Sequence, residues 1–198
     1  MKYQKMMKIA TTILISLVIL SCNQNSIALV KKYEKLHNSH DIEDVMLLYH
    51  DDIKFELIGT WIKSGKEEIG ELEEWDRALR SNLKFKTFEV RGDSVFCKVV
   101  EKNDWFKAIG IEQLVHDPTI FIVSKGHIKK IVANPSKEIT KEIGAKLGAI
   151  YSWSKITKDS TINELIKNGE FIYSNKSAKD WLKLLNKWNK YNASNKIK

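Results

Sequence analysis

At 198 residues, with 43% hydrophobic residues, six tryptophans and only two prolines, the chain has the composition of one globular domain with an extension and is too apolar for a disordered polypeptide. Two cysteines exclude a disulfide-rich scaffold. The net charge of +8 is uneven: residues 137–198 carry thirteen lysines against six acids, whereas residues 22–136 carry seventeen basic residues against nineteen acids. A basic surface draws anionic lipid headgroups or nucleic acid. No nucleic-acid-binding motif accompanies it, so no nucleic-acid partner is expected, and a solvated lysine-rich helix face accounts for the charge equally well.

Lys2, Lys5 and Lys8 precede Ile9–Leu20, a run of twelve uncharged residues. A membrane-spanning helix needs about 20 apolar residues, so the run has the layout of a secretory signal peptide. Ile19-Leu20-Ser21-Cys22 resembles the bacterial lipobox. That resemblance implies cleavage before Cys22, lipidation of its thiol, and a membrane-anchored lipoprotein of the bacterial cell envelope, facing the periplasm or the surface. Residues 1–21 are then a lipoprotein signal peptide and residues 22–26 a polar tether. Several acyl chains on one cysteine hold a bilayer stably, at about 0.8 kcal/mol per buried CH₂. With Cys22 lipidated, Cys97 lacks a disulfide partner, and its place in the apolar run Val95–Val100 makes it a small core residue.

Ile27, Val30, Tyr33 and Leu36 recur at about one-turn intervals, which predicts an amphipathic helix over 27–36 that His37-Asn38-Ser39-His40 breaks. Asp41 is placed to cap a helix over 42–49. Asp51-Asp52 turns the chain, and Ile53–Leu57 alternates as a strand. Gly59 and Gly65 bracket a hairpin-like segment containing Trp61 and Ile62. Over 66–80, Ile69, Leu72, Trp75 and Leu79 form one helical stripe, opposite a solvated face of Glu67, Glu68, Glu71, Glu73 and Glu74 that suits the positive end of the helix dipole. Strand patterns follow at 83–90, 94–101, 111–115 joined through Asp117-Pro118 to 119–124, and 127–133, with Arg91-Gly92-Asp93 and Lys125-Gly126 as hairpin turns. Helices first and a meander after them predict an α+β fold, a curved antiparallel sheet packed on the N-terminal helices.

The stretch DIEDVMLLYHDDIKFELIGTWIKSGKEEIGELEEW resembles the opening of the nuclear transport factor 2-like superfamily, of which SnoaL-like domains are a branch: a helix, an aspartate-rich turn, a strand, then a glycine (Gly65) ahead of the third helix. FIVSKGHIKKIV resembles the superfamily's final hairpin. The resemblance defines a domain over residues 27–135 and implies a cone-shaped sheet wrapped around a helix, enclosing an apolar pocket. It also leaves open a homodimer through the convex sheet. Tyr33 falls where ketosteroid isomerases of this superfamily carry an oxyanion-stabilising tyrosine. Their general-base aspartate falls at Leu57, which cannot take a proton, so that isomerase chemistry is not expected.

Residues 136–198 lie outside the resemblance. Ser136 precedes a stripe of Ile139, Ile143, Leu147 and Ile150; Ile162–Ile166 predicts a short helix ended by Asn168-Gly169; Phe171–Tyr173 is extended. Ser177 and Asp180 approximate a capping box that opens a helix whose Trp181, Leu185, Trp188 and Tyr191 share a face. So much apolar surface must be covered, and some 60 residues make a marginal core alone. This mostly helical extension is therefore expected to pack on the cone or over its mouth.

The pocket candidates are Tyr33, Phe55, Trp61, Trp105, Glu112 and His116, although aromatic residues of a small domain fit plain core as well. Glu112 and His116, four apart, share a face and form the acid–base pair of an enzyme alternative; no catalytic set is assigned beyond it. His37-x-x-His40 lacks further ligands, and Asp51-Asp52 beside His50 suits a turn without a metal. With no phosphate loop, serine-nucleophile motif or CxxC pair, neither a metal nor a cofactor is expected. The leading expectation is a lipid-anchored envelope protein whose cone binds a small apolar or amphipathic molecule. The alternatives are an enzyme of lyase, isomerase or cyclase type that transfers a proton with Glu112 and His116, and a protein- or membrane-interaction module acting through the basic extension.

Overall fold

A computed structural model describes residues 24–195; the signal segment and Cys22 lie outside the described residues. The first helix, α1, covers residues 24–39 and buries Ser26, Val30, Tyr33 and His37, one stripe at helical spacing. It runs past the expected break at His37, because that imidazole is buried and paired with a carboxylate on another helix. At its end Asn38 exchanges two hydrogen bonds with the Leu83 backbone (2.8 and 2.7 Å), and Glu34 accepts from the Phe85 amide at 2.9 Å. Those contacts occupy an otherwise open sheet edge.

Asp41 caps α2 (Ile42–Leu48), its Oδ1 accepting from the Asp44 amide at 3.1 Å. Strand β1 (Tyr49–Leu57) begins at once, so Asp51-Asp52 forms no turn but an irregularity in register within a continuous strand. β2 (Trp61–Ser64) folds back on β1, and α3 (Gly65–Ala78) crosses to the far edge of the sheet. There β3 (Asn82–Arg91) opens the meander with β4 (Ser94–Lys102), β5 (Leu114–Ser124) and β6 (His127–Pro135). The strand expected in two pieces around Asp117-Pro118 is the single β5. Lys125 and Gly126, both at positive φ, make the tight β5–β6 turn.

The sheet order is β2-β1-β6-β5-β4-β3. Four pairings are antiparallel, but β1 and β6 are parallel, so the curved sheet is mixed rather than wholly antiparallel. The reason is the α3 crossover: the meander starts at the far edge and returns to lay its last strand beside β1.

Beyond the sheet, α5 (Lys137–Thr157) is followed by α6 (Ile162–Leu165), the two-stranded hairpin β7 (Ile166–Lys167) and β8 (Glu170–Phe171), and α7 (Asn175–Asn195). A short α4 (Asp104–Ala108) between β4 and β5, absent from the expected elements, is capped by the Asn103 side chain, which accepts from the Phe106 amide at 2.8 Å. Asn168-Gly169, expected to end a helix, instead turns the hairpin with both residues at positive φ. Ser174 takes the capping role expected of Ser177: its Oγ accepts the Ser177 amide at 3.1 Å, while the buried Ser177 hydroxyl donates to the Ile172 carbonyl at 2.6 Å.

Two apolar clusters result. One joins α1, α2 and Ile69 of α3 to the inner face of the sheet through Tyr33, Tyr49, Phe85, Cys97, Phe121 and Ile131. The other joins Trp75 and Leu79 of α3 and all of α4's aromatics to the extension through Trp153, Trp181, Leu185 and Trp188. Asn189 fastens α7 to the Ala108 carbonyl (2.8 Å), and Asn175 reaches Glu74 (3.2 Å). The extension thus packs on the cone with its apolar stripe turned inward.

Candidate functional site

Between these clusters lies a cavity of about 400 Å³ that draws its wall from both. The sheet contributes Phe55, Phe85, Val99 and Phe121, and α3 contributes Leu72, Trp75 and Asp76. The extension adds Ile143, Gly144 and Leu147 of α5 and Phe171 and Tyr173 beside the small hairpin to the wall. Trp61 is tied to the extension by its indole N–H, which donates to the Tyr173 hydroxyl at 2.8 Å.

Tyr33, Phe55, Trp61, Trp105 and His116 all line this cavity. Glu112 does not. The strand begins only at Leu114, leaving Glu112 in the preceding coil, 85% exposed in its side chain and paired with Lys102 at 3.1 Å. The four-residue spacing therefore never becomes a shared strand face.

The carboxylate that meets His116 is Glu101, at 3.2 Å between Oε2 and Nε2. On β4 the residues Val95, Cys97, Val99 and Glu101 alternate onto one face, with the first three in the core. His116 pairs in register with Val99, which makes it the diagonal neighbour of Glu101 across the β4–β5 ladder. Asn103 donates to the other Glu101 oxygen at 2.8 Å. Burial pushes the Glu101 pKa up, but the hydrogen bond and charge of His116, the charge of His37 and the Asn103 bond hold it below the usual carboxylate range. Glu101 is therefore ionised at neutral pH.

Asp76 behaves in the opposite way. It sits one helical turn from Leu72 and Leu79, on the inward stripe of α3, and lines the cavity. Burial raises its pKa well above the carboxylate range; the His37 charge opposes this, while Glu101 and Glu73 add to it. Two carboxyl groups lining one cavity thus have their pKa values pushed in opposite directions, the arrangement that suits one side chain to donate a proton while another holds charge.

Tyr33 is set from behind by a buried network. Its ring packs against that of Tyr49, 6.0 Å between centroids. Tyr49 donates its hydroxyl to Glu73 Oε1 at 2.5 Å, and the other Glu73 oxygen lies 3.1 Å from His37 Nδ1. Glu73 was expected on the solvated acidic face of α3, yet it is buried. Burial, then the Glu73 charge, raises the Tyr33 pKa well above its ordinary value, so the phenol keeps its proton. Three polar atoms of the cavity wall, Trp105 Nε1, His116 Nδ1 and Thr119 Oγ1, are buried without a partner. Among the described residues, no group of three or more His, Cys, Asp or Glu side chains is placed to hold a metal ion.

No family model matches the chain, and no curated protein does at a significant level. Solved structures do match in fold. An epoxide hydrolase/cyclase-like enzyme of pyran-ring formation in the polyether salinomycin shares 12% identity at a TM-score of 0.53, over 58% of this chain and 93% of that one. An LEH-like epoxide hydrolase of M. tuberculosis shares 16% at 0.52, over 65% and 96%. PrhC from Penicillium brasilianum shares 14% at 0.50, over 65% and 91%. The chain has the nuclear transport factor 2-like cone fold.

Proposed function

We propose that this chain, a nuclear transport factor 2-like cone walled in part by its own C-terminal extension, takes up a small, mainly apolar molecule and orients it by a few polar groups. The observation that carries this reading is the cavity of about 400 Å³ left between the two apolar clusters. Its size falls in the range of about 300–1,000 Å³ usual for small-molecule sites. Aromatic and aliphatic walls take the ligand's apolar surface from water, and the polar side chains of the lining, Asp76 among them, orient it.

A second reading is favoured by one specific observation, the convergence on one cavity of Asp76, its pKa raised by burial, and of ionised Glu101 with its hydrogen-bond partner His116. These groups suit proton transfer of a lyase, isomerase or cyclase type, with Asp76 as donor and His116, oriented by Glu101, as acceptor. That the fold neighbours include an epoxide hydrolase/cyclase-like enzyme and an epoxide hydrolase is compatible with either reading. We also propose that Cys22 carries a lipid anchor that holds the cone at a bacterial envelope membrane. No helix among the described residues is long and apolar enough to cross a membrane.

Native mass spectrometry of the chain from Asn23 to Lys198, purified without detergent, tests the first two readings together. An extra mass that leaves on unfolding is the expected result, and a clean apo mass after incubation with cell extract counts against capture. Incubating the complex in D₂O separates binding from catalysis. Deuterium entering a carbon position of the ligand with the parent chain but not with His116→Gln marks proton transfer; an unlabelled ligand marks binding alone.

A further inference from the structure

The cavity is asymmetric in charge. Phe55, Trp61, Trp75, Trp105, Phe171 and Tyr173 border it. Their rings meet edge to face around the wall: Phe55 to Trp61 at 5.3 Å, Trp61 to Tyr173 at 5.6 Å, Trp75 to Tyr173 at 5.2 Å and Trp105 to Phe171 at 5.7 Å between centroids. Aromatic faces carry negative potential and attract cations. One internal cation already exploits this: Lys63 Nζ lies 5.7 Å from the centroid of Tyr173.

The buried acids point the same way. Glu101 is engaged by His116 and Asn103, whereas the Asp76 carboxyl has no hydrogen bond or ion pair among the described residues. His116, 6% exposed, turns Nδ1 to no partner. An anionic ligand would face the Glu101 charge in a low-dielectric chamber with Lys63 as the lining's ammonium. A wholly apolar ligand would leave the Asp76 carboxyl and His116 Nδ1 without partners.

We propose that the cavity receives an organic cation, an amine borne on an apolar body, whose ammonium sits against the aromatic wall and donates to Asp76. The inference rests on the ligand-pocket reading above and names its chemical class. Binding couples to one proton. Burial, opposed by the His37 charge and reinforced by those of Glu101 and Glu73, raises the Asp76 pKa and so favours its protonated form in the empty cavity. When the ammonium arrives, the carboxyl proton passes to solvent and an ammonium–carboxylate pair replaces the neutral acid.

The test compares 2-phenylethylamine, an ammonium at neutral pH, with n-propylbenzene, which has a methyl group in its place. Each is titrated into the chain from Asn23 to Lys198, which holds every described residue, and read by tryptophan fluorescence and by calorimetry in two buffers of different ionisation enthalpy. The amine is expected to bind about ten-fold or more tighter, with a proton delivered to the buffer, as a cation–π contact reinforced by an ion pair requires. Asp76→Asn, which keeps the shape of the neutral acid, is expected to bring the two affinities together and end proton release. Propylbenzene binding as tightly as the amine overturns the cation inference and leaves an apolar ligand site. Binding of neither probe up to the solubility limit overturns the pocket reading beneath it.

Discussion

Glu101 and Glu112 are the same residue type eleven positions apart, and their fates are opposite. Glu101 ends an alternation of core residues and enters the cavity; Glu112 lies in coil and pairs with Lys102 in solvent. The alternation was readable in the run Val95–Glu101, as Asp76 was readable on the stripe of Leu72 and Leu79, so periodicity carried the signal for both. What no local pattern carried was the partner of His37. That imidazole is 3% exposed, against Glu73 from a helix 36 positions on. Burial pulls its pKa down, but the hydrogen bond and charge of Glu73 outweigh burial and raise it to about 9 from 6.5. Because the folded value is the higher one, the pair's contribution is complete below pH 6.5 and is lost progressively as pH rises to about 9. The shift corresponds to about 3 kcal/mol. Thermal unfolding of the parent chain should therefore show a melting temperature that drops across that window, and Glu73→Gln should flatten the drop. An equal drop in the variant would assign the pH dependence to other groups.

Among the elements, the extension supplies one wall of the cavity. Trp181 of α7 is fully buried, stacked on Phe171 at 4.9 Å and edge-on to Trp105 at 5.8 Å. Both of those rings line the cavity. Trp181→Ala removes the contact that fixes them, and truncation of a buried tryptophan costs about 3–5 kcal/mol. Chemical denaturation should register a loss of that size, and ligand capture should fall with it. Unaltered stability would mean that α7 is not what holds that wall in place. The helical stripe of α7 was visible in the spacing of Trp181, Leu185 and Trp188; the hairpin at Asn168-Gly169 and the short α4 were not. Two-residue strands and a five-residue helix are too short for a period to emerge, and their stability comes from packing rather than from propensity.

For the whole molecule, the charge division acquires a spatial meaning. The apolar side of the extension is buried on its own cone, and its lysines face outward, several tied to nearby acids: Lys187 to Asp159 at 2.8 Å, Lys176 and Lys183 to Asp180 at 2.7 and 2.9 Å. Tyr151, Ile156 and Tyr191 remain exposed beside those lysines. The proposed anchor at Cys22 gives a separate attachment. Cys22→Ser expressed in a bacterial host should move the protein from the membrane fraction to the soluble one. Membrane binding that persists in the variant and is washed off by about 1 M salt, where the Debye length is about 3 Å, would assign attachment to the lysines instead.

The sequence by itself determined the α+β class, the helical and strand stripes and the hairpin turns of the meander, because each follows from residue spacing within a single element or turn. Only the tertiary structure decided which acids share a chamber. Asp76, Glu101 and His116 come from a helix and two strands, and their protonation is set by burial and by one another's charge across those elements. It likewise decided that residues far beyond the cone supply part of the cavity wall. Burial and electrostatic coupling are properties of neighbours in space, and neighbours in space are what a linear pattern leaves unspecified.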